Sequence, residues 1–296
     1  MTTSFIDDRE LQVLIDKAIV LMEALPHIQR FRGATVVVKY GGHAMIDPTL
    51  KRMVMQDIVL MENMGISPIV VHGGGPEITA LMDRVGLESQ FVDGQRVTDA
   101  ATLDIAEMVL AGKLNGEIVT RINQLGGLAV GLSGKDANLI IAQKIQMEEG
   151  KDIGYVGEVE AINPEIIRLL ENHFIPVISP IGADRKGQTY NINADTVAAE
   201  LAQAVQATKL ILLTDVRGIC RDAKDASTLI QQIRGPEVEG LIDEGIVRGG
   251  MIPKVRACAA ALKAGVGSCH ILDGRLPHAL LIELFTDKGI GTMIRP

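Results

Sequence analysis

The spacing of apolar positions changes along this chain, and the change separates helices from strands. Between residues 7 and 25, apolar side chains recur at helical spacing behind Asp7 and Asp8, two residues that commonly cap a helix start. Pro26 predicts the end of this first helix, because proline lacks the backbone N–H that a helix interior needs. The helix has one apolar stripe, which we expect to pack on its own domain or to dock on another subunit.

From residue 34 onward, short apolar runs that end in glycine alternate with helical segments. Runs that are apolar throughout are typical of strands buried on both faces of a parallel sheet. The predicted strands are 35–39, 68–72, 128–132, 175–178, 210–214 and 269–272, and the predicted helices are 48–63, 76–85, 102–125, 193–207 and 253–264. The alternation predicts an α/β sandwich with right-handed crossovers, and the glycine-containing stretch 139–163 predicts a β-hairpin or lid.

Length, composition and charge narrow the class of protein. The 296 residues can bury a substantial core, and 47% hydrophobic residues with 31 glycines are typical of an α/β protein with tight connections. A net charge of −8 without a basic cluster argues against nucleic acid as a partner but leaves a small anionic substrate open. The polar N-terminus, the lack of a long apolar run and three cysteines without zinc spacing predict a cytoplasmic protein with no membrane partner.

Two predicted strands end in glycine clusters, which are candidates for anion binding. These glycines are Gly41, Gly42, Gly73, Gly74 and Gly75, and Lys39 stands just before the first cluster. In open α/β sheets, ligands lie beyond the carboxyl ends of the strands, where glycine lets backbone N–H groups approach an anion. Residues 131–136 resemble a Walker A fragment, but the spacing is wrong, and the protein-kinase motifs are missing. Any nucleotide site must therefore have another design.

Three later segments also gather polar groups near predicted helix starts and strand ends. They are Asn191-Ile192-Asn193-Ala194-Asp195, the turn with Thr214, Asp215 and Gly218 after a buried strand, and Gly249-Gly250-Met251-Ile252-Pro253-Lys254. A helix cap would explain Asn193 alone, but three such groups in five residues exceed what one cap needs. Lys254 is unfavourable at a helix start against the helix dipole, so a bound anion is a plausible reason for it.

Together with Gly94-Gln95-Arg96-Val97-Thr98-Asp99, these motifs resemble the amino-acid kinase family in type and order, over about residues 34–296. Within that family, the arginine segment and the Asn-x-Asn-Ala-Asp segment resemble the kinases that act on N-acetyl-L-glutamate. The resemblance implies an open three-layer αβα sandwich with a mainly parallel central sheet, the amino-acid kinase fold. It also implies a helical extension at 1–30 and a kinase domain at 31–296. The N-lobe, about 31–180, would bind the acyl substrate and dimerise, and the C-lobe, about 181–296, would bind ATP.

The resemblance also implies a role for each motif. Lys39 and Lys254 would neutralise the transferring phosphoryl group, and Asp195 would orient both lysines. The substrate residues would be Gly74, Gly75, Arg96 and Asn191, with Arg96 and Asn191 on the α-carboxylate; the nucleotide and phosphate residues would be Gly41, Gly42, Gly73, Thr214, Asp215, Gly218 and Gly250. Mg²⁺ would be carried by ATP rather than by protein side chains. A carboxylate acceptor is already ionised at neutral pH, so this transfer needs positioning and positive charge but no general base.

The leading helix resembles the N-terminal extension of arginine-inhibited family members, in which such helices join dimers into a hexamer. Lys209, His270 and Glu283 are the residues we expect near an arginine effector, and ordinary surface or helix-end polarity is the alternative. For Arg96, the alternative is an ion pair with Asp93 or Asp99. Other readings of the whole chain stay open: a kinase for glutamate, aspartate, UMP or carbamate, or a non-catalytic amino-acid sensor. Neither the N-acetyl pocket nor binding of a nitrogen-regulatory signalling protein can be deduced from these motifs.

Overall fold

A computed structural model describes residues 7–92, 94–147, 151–171 and 173–296, apart from the side chain of His43. Residues 1–6 of the predicted extension, Asp93, and residues 148–150 of the predicted hairpin lie outside this description. The strands are β1 (Thr35–Tyr40), β2 (Ser67–His72), β3 (Phe91–Val92), β4 (Gln95–Arg96), β5 (Ala129–Ser133), β6 (Ile140–Lys144), β7 (Val156–Ile162), β8 (Ile175–Ser179), β9 (Ile181–Ala183), β10 (Thr189–Ile192), β11 (Lys209–Thr214), β12 (Gln232–Arg234), β13 (Ser268–Asp273) and β14 (Thr292–Arg295). The α-helices are α1 (Asp8–Phe31), α2 (Pro48–Asn63), α3 (Gly75–Arg84), α4 (Ala100–Glu107), α5 (Asn115–Gln124), α6 (Glu165–Leu170), α7 (Ala194–Ala204), α8 (Val238–Asp243), α9 (Met251–Lys263) and α10 (Ala279–Phe285).

Eight strands form the central sheet in the order β12-β14-β13-β11-β1-β2-β8-β5. Neighbours are parallel except β13 and β14, which pair antiparallel. The central strand β1 is buried on both faces: Val36 and Val38 belong to one hydrophobic core, and Val37 belongs to the other. The solid apolar runs of the sequence therefore predicted the mainly parallel, doubly covered sheet correctly.

Helices cover both faces of this sheet and complete three layers. On one face, α2 and α5 contribute Ile58 and Ile122 to the core, and α10 adds Leu284. On the other face, α7 contributes Leu201 and α9 contributes Val255. The αβα sandwich expected from the sequence is confirmed. Five of the predicted strands lie next to the predicted helices in the expected order: β1 before α2, β2 before α3, β5 after α5, β11 after α7 and β13 after α9.

The stretch predicted as a hairpin or lid is a hairpin in a small barrel. Strands β6 and β7 pair antiparallel, and β9 and β10 close the barrel beside them. The backbone N–H of Thr98 donates to the carbonyl of Ile153 at 2.9 Å, which attaches the barrel to the loop after β4. This attachment places Asn191, on β10, close to the segment that carries Arg96.

Two helix boundaries differ from the sequence prediction. Asp7 caps α1 as expected, but Pro26 lies inside that helix, which continues to Phe31. The loss of one backbone hydrogen bond is outweighed because Phe31 buries itself in the core and Ile28 packs against it. The helix predicted at 102–125 is interrupted: α4 and α5 are joined by a π-helical segment, Met108–Leu114. In the part of the chain described, no helix is both long enough and apolar enough to cross a membrane.

Candidate active site

Three charged side chains from three elements meet at the carboxyl edge of the sheet. Lys39 lies near the end of β1, Asp195 in the first turn of α7 and Lys254 in the first turn of α9. One carboxylate oxygen of Asp195 is 3.1 Å from Lys39 Nζ, and the other accepts a hydrogen bond from Lys254 Nζ. The structure thus brings together the three residues that the sequence assigned to phosphoryl transfer.

The carboxylate of Asp195 is buried and still ionised. Burial alone would raise its pKa, but the charges of Lys39 and Lys254 and their hydrogen bonds hold the pKa of Asp195 below its usual range. Asn193 caps α7, since its Oδ1 accepts from the Asp195 backbone N–H at 2.8 Å, as expected for a cap. Two lysines against one carboxylate leave a net positive charge at this point, which suits a phosphoryl group.

The first glycine cluster leaves room for this centre. A Cβ on Gly41 would stand 2.5 Å from Lys39 Nζ, so a side chain there would displace the ammonium group. Gly42 has a left-handed backbone, with φ of +69°, and a Cβ there would collide with the carboxylate of Asp215. A side chain at either position would therefore have to displace a charged group of the site, and at Gly42 the left-handed backbone also favours glycine.

The second glycine cluster lines a cavity of about 190 Å³ that also reaches Asn193 and Ala194, just before Asp195. Gly73, Gly74 and Gly75 lie at the start of α3, and Arg96 and Asn191 line the same cavity. A helix start offers free backbone N–H groups and a favourable dipole to an anion. All four residues that were predicted to bind the acyl substrate, Gly74, Gly75, Arg96 and Asn191, therefore share one cavity.

Arg96 is a buried cation held by neutral groups. Its guanidinium donates to the Gly75 carbonyl at 2.9 Å, to Thr79 Oγ1 at 2.7 Å and to Ser89 Oγ at 2.6 Å, and it lies over the ring of Phe91. Burial lowers its pKa from the usual value, opposed by the charge of Asp83. Within the described ranges, no carboxylate forms an ion pair with it.

The surface ion pair considered for Arg96 is not formed with Asp99. The Asp99 side chain instead caps α4 by accepting from the Thr102 backbone N–H at 2.8 Å. The other candidate partner, Asp93, lies outside the described residues. A buried guanidinium with only neutral partners is costly, and an anionic ligand in the adjoining cavity would offset that cost.

The turn that follows β11, with Asp215 and Gly218, borders a larger cavity of about 920 Å³. Asp215 and Gly218 line it, whereas Gly41, Gly42, Gly73 and Gly250 are not among its lining residues. Thr214 holds the turn: its hydroxyl lies 3.0 Å from the Val216 carbonyl oxygen and 3.2 Å from that of Leu272. Five basic residues of this lining were not predicted as site residues from the sequence: Arg217, Arg221, Lys224, Arg248 and Arg275. No motif carries Arg221, Lys224 or Arg248, so these three could be found only once the chain was folded.

The three residues predicted near an effector form one buried network. Lys209 Nζ lies 2.8 Å from His270 Nε2, and His270 Nδ1 lies 2.7 Å from Glu283 Oε1. Burial, together with the charge of Lys209, lowers the pKa of His270, although Glu283 opposes this shift. The network lies at the end of α1, because Lys209 Nζ is 5.2 Å from the centre of the Phe31 ring. Ordinary surface or helix-end polarity, the alternative considered above, therefore does not describe these three side chains, which contact one another in the interior.

Comparisons with known proteins give the following similarities. The model of the amino acid kinase family matches residues 34–273. The chain is 57% identical to acetylglutamate kinase of Desulforamulus reducens, over 95% of this chain and 98% of that protein. It is 60% identical to acetylglutamate kinase of Nostoc punctiforme, over 93% of this chain and 92% of that protein.

Among solved structures, N-acetylglutamate synthase from Neisseria gonorrhoeae has a similar fold. Its complex with coenzyme A and N-acetyl-glutamate matches at a TM-score of 0.83 and 28% identity, and its complex with coenzyme A and L-arginine at 0.79 and 27%. Each match covers 94% of this chain but only 63% and 65% of the synthase chain, respectively. This chain therefore spans less than two thirds of the synthase's length.

The collision at Gly42 predicts a specific loss of turnover. In the Gly42→Ala variant the new methyl group must push the Asp215 carboxylate aside, and we expect phosphoryl-transfer turnover to fall about a hundredfold. Gly86→Ala is the control, because Gly86 has a similar φ of +77° but nothing within 4 Å of a built Cβ. Both variants should lose about 1 kcal/mol of unfolding free energy in urea titrations. Turnover that falls equally in both variants would contradict the role of the Gly42–Asp215 contact.

Proposed function

Because the chain belongs to the amino acid kinase family, we propose that it transfers the γ-phosphoryl group of ATP to the side-chain carboxylate of N-acetyl-L-glutamate. Its activity is that of an acetylglutamate kinase, a phosphotransferase with a carboxyl acceptor that serves arginine biosynthesis. The observation that carries the mechanism is the Lys39–Asp195–Lys254 centre at the carboxyl edge of the sheet.

The proposed mechanism is charge stabilisation without a general base. The acceptor carboxylate is an anion at neutral pH, and the obstacle is its repulsion by the phosphates of ATP. Lys39 and Lys254 offset this repulsion, while Gly42 and Gly75 offer backbone N–H groups without side-chain bulk. Asp195 is no base in this scheme, since both of its oxygens are engaged by lysines. Its role is to hold the two ammonium groups in place.

The lining of the smaller cavity supports an N-acetylated acceptor. Arg96 and Asn191 are placed to bind the α-carboxylate, and an arginine fork matches its two oxygens. Ile78, Leu110 and Val156 add apolar surface to the same cavity. A free amino group would call for a nearby acid, and among the described residues no aspartate or glutamate lines this cavity. A neutral acetyl group fits such a lining better than an ammonium group does.

The larger cavity supports the nucleotide assignment. ATP is the phosphoryl donor of this kinase, and five arginine and lysine side chains around the cavity suit its phosphates. We propose that Mg²⁺ arrives with ATP, because no group of three potential metal ligands occurs in the described part of the chain. The ion would add positive charge to the phosphates during transfer. The division into an acyl-binding lobe, 31–180, and a nucleotide lobe, 181–296, belongs to the same proposal, and the cytoplasmic location stays a prediction.

A hydroxamate assay for acyl phosphate tests the activity and the centre together. With MgATP, we expect product from N-acetylglutamate but not from glutamate or aspartate, and about a hundredfold less product with Lys254→Ala. Lys263→Ala, at the exposed end of the same helix, is the matched control and should match the wild type. Product from glutamate or aspartate at the same rate would contradict the acceptor assignment. Undiminished product from Lys254→Ala would contradict the role of the lysine.

We also propose that α1 joins dimers of this chain into a hexamer. The helix exposes many large apolar side chains, among them Leu14, Ile19, Leu21 and Met22, whereas its last turns pack on the core through Ile28 and Phe31. Exposed apolar surface of this extent is typical of an interface between protein chains. The anchored end would transmit the geometry of that interface to the kinase domain.

Deleting residues 1–25 tests the role of α1. We expect active dimers in analytical ultracentrifugation, because the apolar surface is removed while the active centre is untouched, and we expect no inhibition by arginine. Leu21→Glu should weaken the hexamer in the same direction, and Lys17→Ala on the same exposed helix should not. A hexamer that persists after the deletion would show that α1 is not the interface.

The third element of the proposal is arginine feedback at the buried Lys209–His270–Glu283 network. Lys209 would bind the effector's carboxylate, and Glu283 would bind one of its cationic groups, replacing contacts that these residues now make through His270. The similar synthase fold with bound L-arginine supports this ligand class. The position of the network against Phe31 would connect the effector to α1.

The protonation of Lys209 determines how we expect inhibition by arginine to depend on pH. Burial lowers its pKa to about 8, with opposition from Glu283 and a further lowering by Arg30. Its ammonium group is therefore present below pH 8 and lost above it, so the arginine concentration for half inhibition should rise about tenfold between pH 7 and pH 9. Lys209→Arg remains charged throughout and should remove most of this rise. Equal pH dependence in both proteins would exclude Lys209 as the titrating group.

A further inference from the structure

The loop Gly73, Gly74 and Gly75 lies against a π-helical segment whose packing has no part in the mechanism so far. A Cβ on Gly74 would stand 2.5 Å from Leu114 Cδ1 and 2.6 Å from Leu110 Cδ2, so both leucines press directly on the glycine backbone. Asn115 follows the segment as the first residue of α5 and is also buried. Leu110 and Leu114 thus support the loop directly.

The π-helical geometry explains how these three side chains share one face. At 3.6 residues per turn, an α-helix would turn Asn115 about 140° away from Leu110. A helix bonded from i to i+5 is wider, so residues four and five positions on both return to the face of the first. The segment Met108–Leu114 therefore directs Leu110, Leu114 and Asn115 together towards β2 and its loop.

Between Asn115 and the loop lies His72, a fully buried histidine at the end of β2. Its Nδ1 is 2.8 Å from the carbonyl oxygen of Gly73, and its Nε2 is 3.3 Å from Asn115 Nδ2. A carbonyl oxygen can only accept, so Nδ1 must carry the proton and donate to Gly73. Burial lowers the pKa of His72 to about 4, against an opposing effect of the Gly73 carbonyl, so the ring is neutral and Nε2 accepts.

The orientation of Asn115 is fixed by two strands. Its Nδ2 donates to the Val177 carbonyl on β8 at 2.9 Å and lies 3.4 Å from the Leu132 carbonyl on β5. Both partners are acceptors, so the nitrogen must face them, and the same nitrogen faces His72 Nε2. Asn115 thereby selects the tautomer of His72 that donates to Gly73.

We propose that Asn115 and His72 are positioning residues that hold the Gly73 carbonyl and thereby aim the backbone N–H of Gly74 into the substrate cavity. The peptide unit is planar and trans, so fixing the carbonyl fixes the N–H on its opposite side. That N–H has no acceptor among the described residues, which leaves it free for an anionic ligand. The proposal rests on the proposed function, since it names residues that prepare the acyl-substrate loop for phosphoryl transfer.

Two substitutions at His72 distinguish the loss of the hydrogen bond to Gly73 from a change in side-chain volume. Asparagine places its amide nitrogen where Nδ1 stood, so His72→Asn retains the donor to Gly73; glutamine places its nitrogen where Nε2 stood, so His72→Gln does not. Because a misplacement of about 1 Å can cost about a hundredfold in rate, we expect kcat of His72→Gln to fall about that far and His72→Asn to retain most of it. The KM for ATP should stay the same in both, since the nucleotide cavity is elsewhere. Equal kcat in the two variants, at equal melting temperature, would overturn the proposal.

The tautomer gives a second readout that does not depend on activity. In wild-type protein labelled with ¹⁵N-histidine, long-range ¹H–¹⁵N spectra should show His72 protonated at Nδ1 and unprotonated at Nε2 at neutral pH. Asn115→Ala should broaden or change this signature and lower kcat, whereas Asn123→Ala, on the same helix, should leave the signature unchanged. A His72 protonated at Nε2 in the wild type would refute the proposal. A wild type without acyl phosphate product would refute the proposed function instead.

Discussion

The buried ion triad of Asp195 with Lys39 and Lys254 is the interaction on which the rest of the site depends. A carboxylate removed from water stays ionised only if opposite charges compensate for its lost hydration. That requirement fixes the end of β1 and the starts of α7 and α9 relative to one another, because each provides one charge. The triad carries one surplus positive charge, and the glycines beside it have no side chains that could neutralise or cover it. The arrangement is therefore costly for the isolated chain and would become favourable with phosphate oxygens in the gap, as the proposed mechanism requires.

The two cavities differ in how far their polar groups are buried. Around the larger cavity the cations are exposed, which suits the flexible phosphates of the nucleotide that we propose for it. On the acyl side, Arg96 is buried among neutral acceptors, and His72 is neutral because burial disfavours its charged form. In the mechanism we propose, this cavity would recognise one carboxylate with one rigid cation, while its remaining polar groups shape the backbone. Such rigidity suits a small substrate whose reactive oxygen must be held in line for transfer.

The parts of this structure that the sequence predicted are those set by local pattern. The apolar runs predicted the parallel sheet, and the resemblance of the ordered motifs to the amino-acid kinase family implied that Lys39, Asp195 and Lys254 would meet. The prediction that the first helix ends at Pro26 was wrong, because tertiary packing of the following turn outweighs local helix propensity. The π-helical segment has no signature in the period of its apolar residues. Nor did any motif mark Asn115, whose role depends on contacts with strands distant in sequence.

The geometry of the sheet also constrains how an effector could act. Lys209 begins β11 and His270 is the third residue of β13, whereas Thr214 and Asp273 end the same strands at the carboxyl edge of the sheet. Along β11, five residue steps place Lys209 about 17 Å from Thr214, so an effector at the network would not touch Lys39 or Lys254. Strands buried on both faces do not deform locally, since their side chains are close-packed against helices. Coupling between the two edges therefore requires the strands, α10 and α1 to move as rigid bodies. A change in the relative orientation of the two proposed lobes is such a motion, and it would separate the charges of the Lys39–Asp195–Lys254 centre.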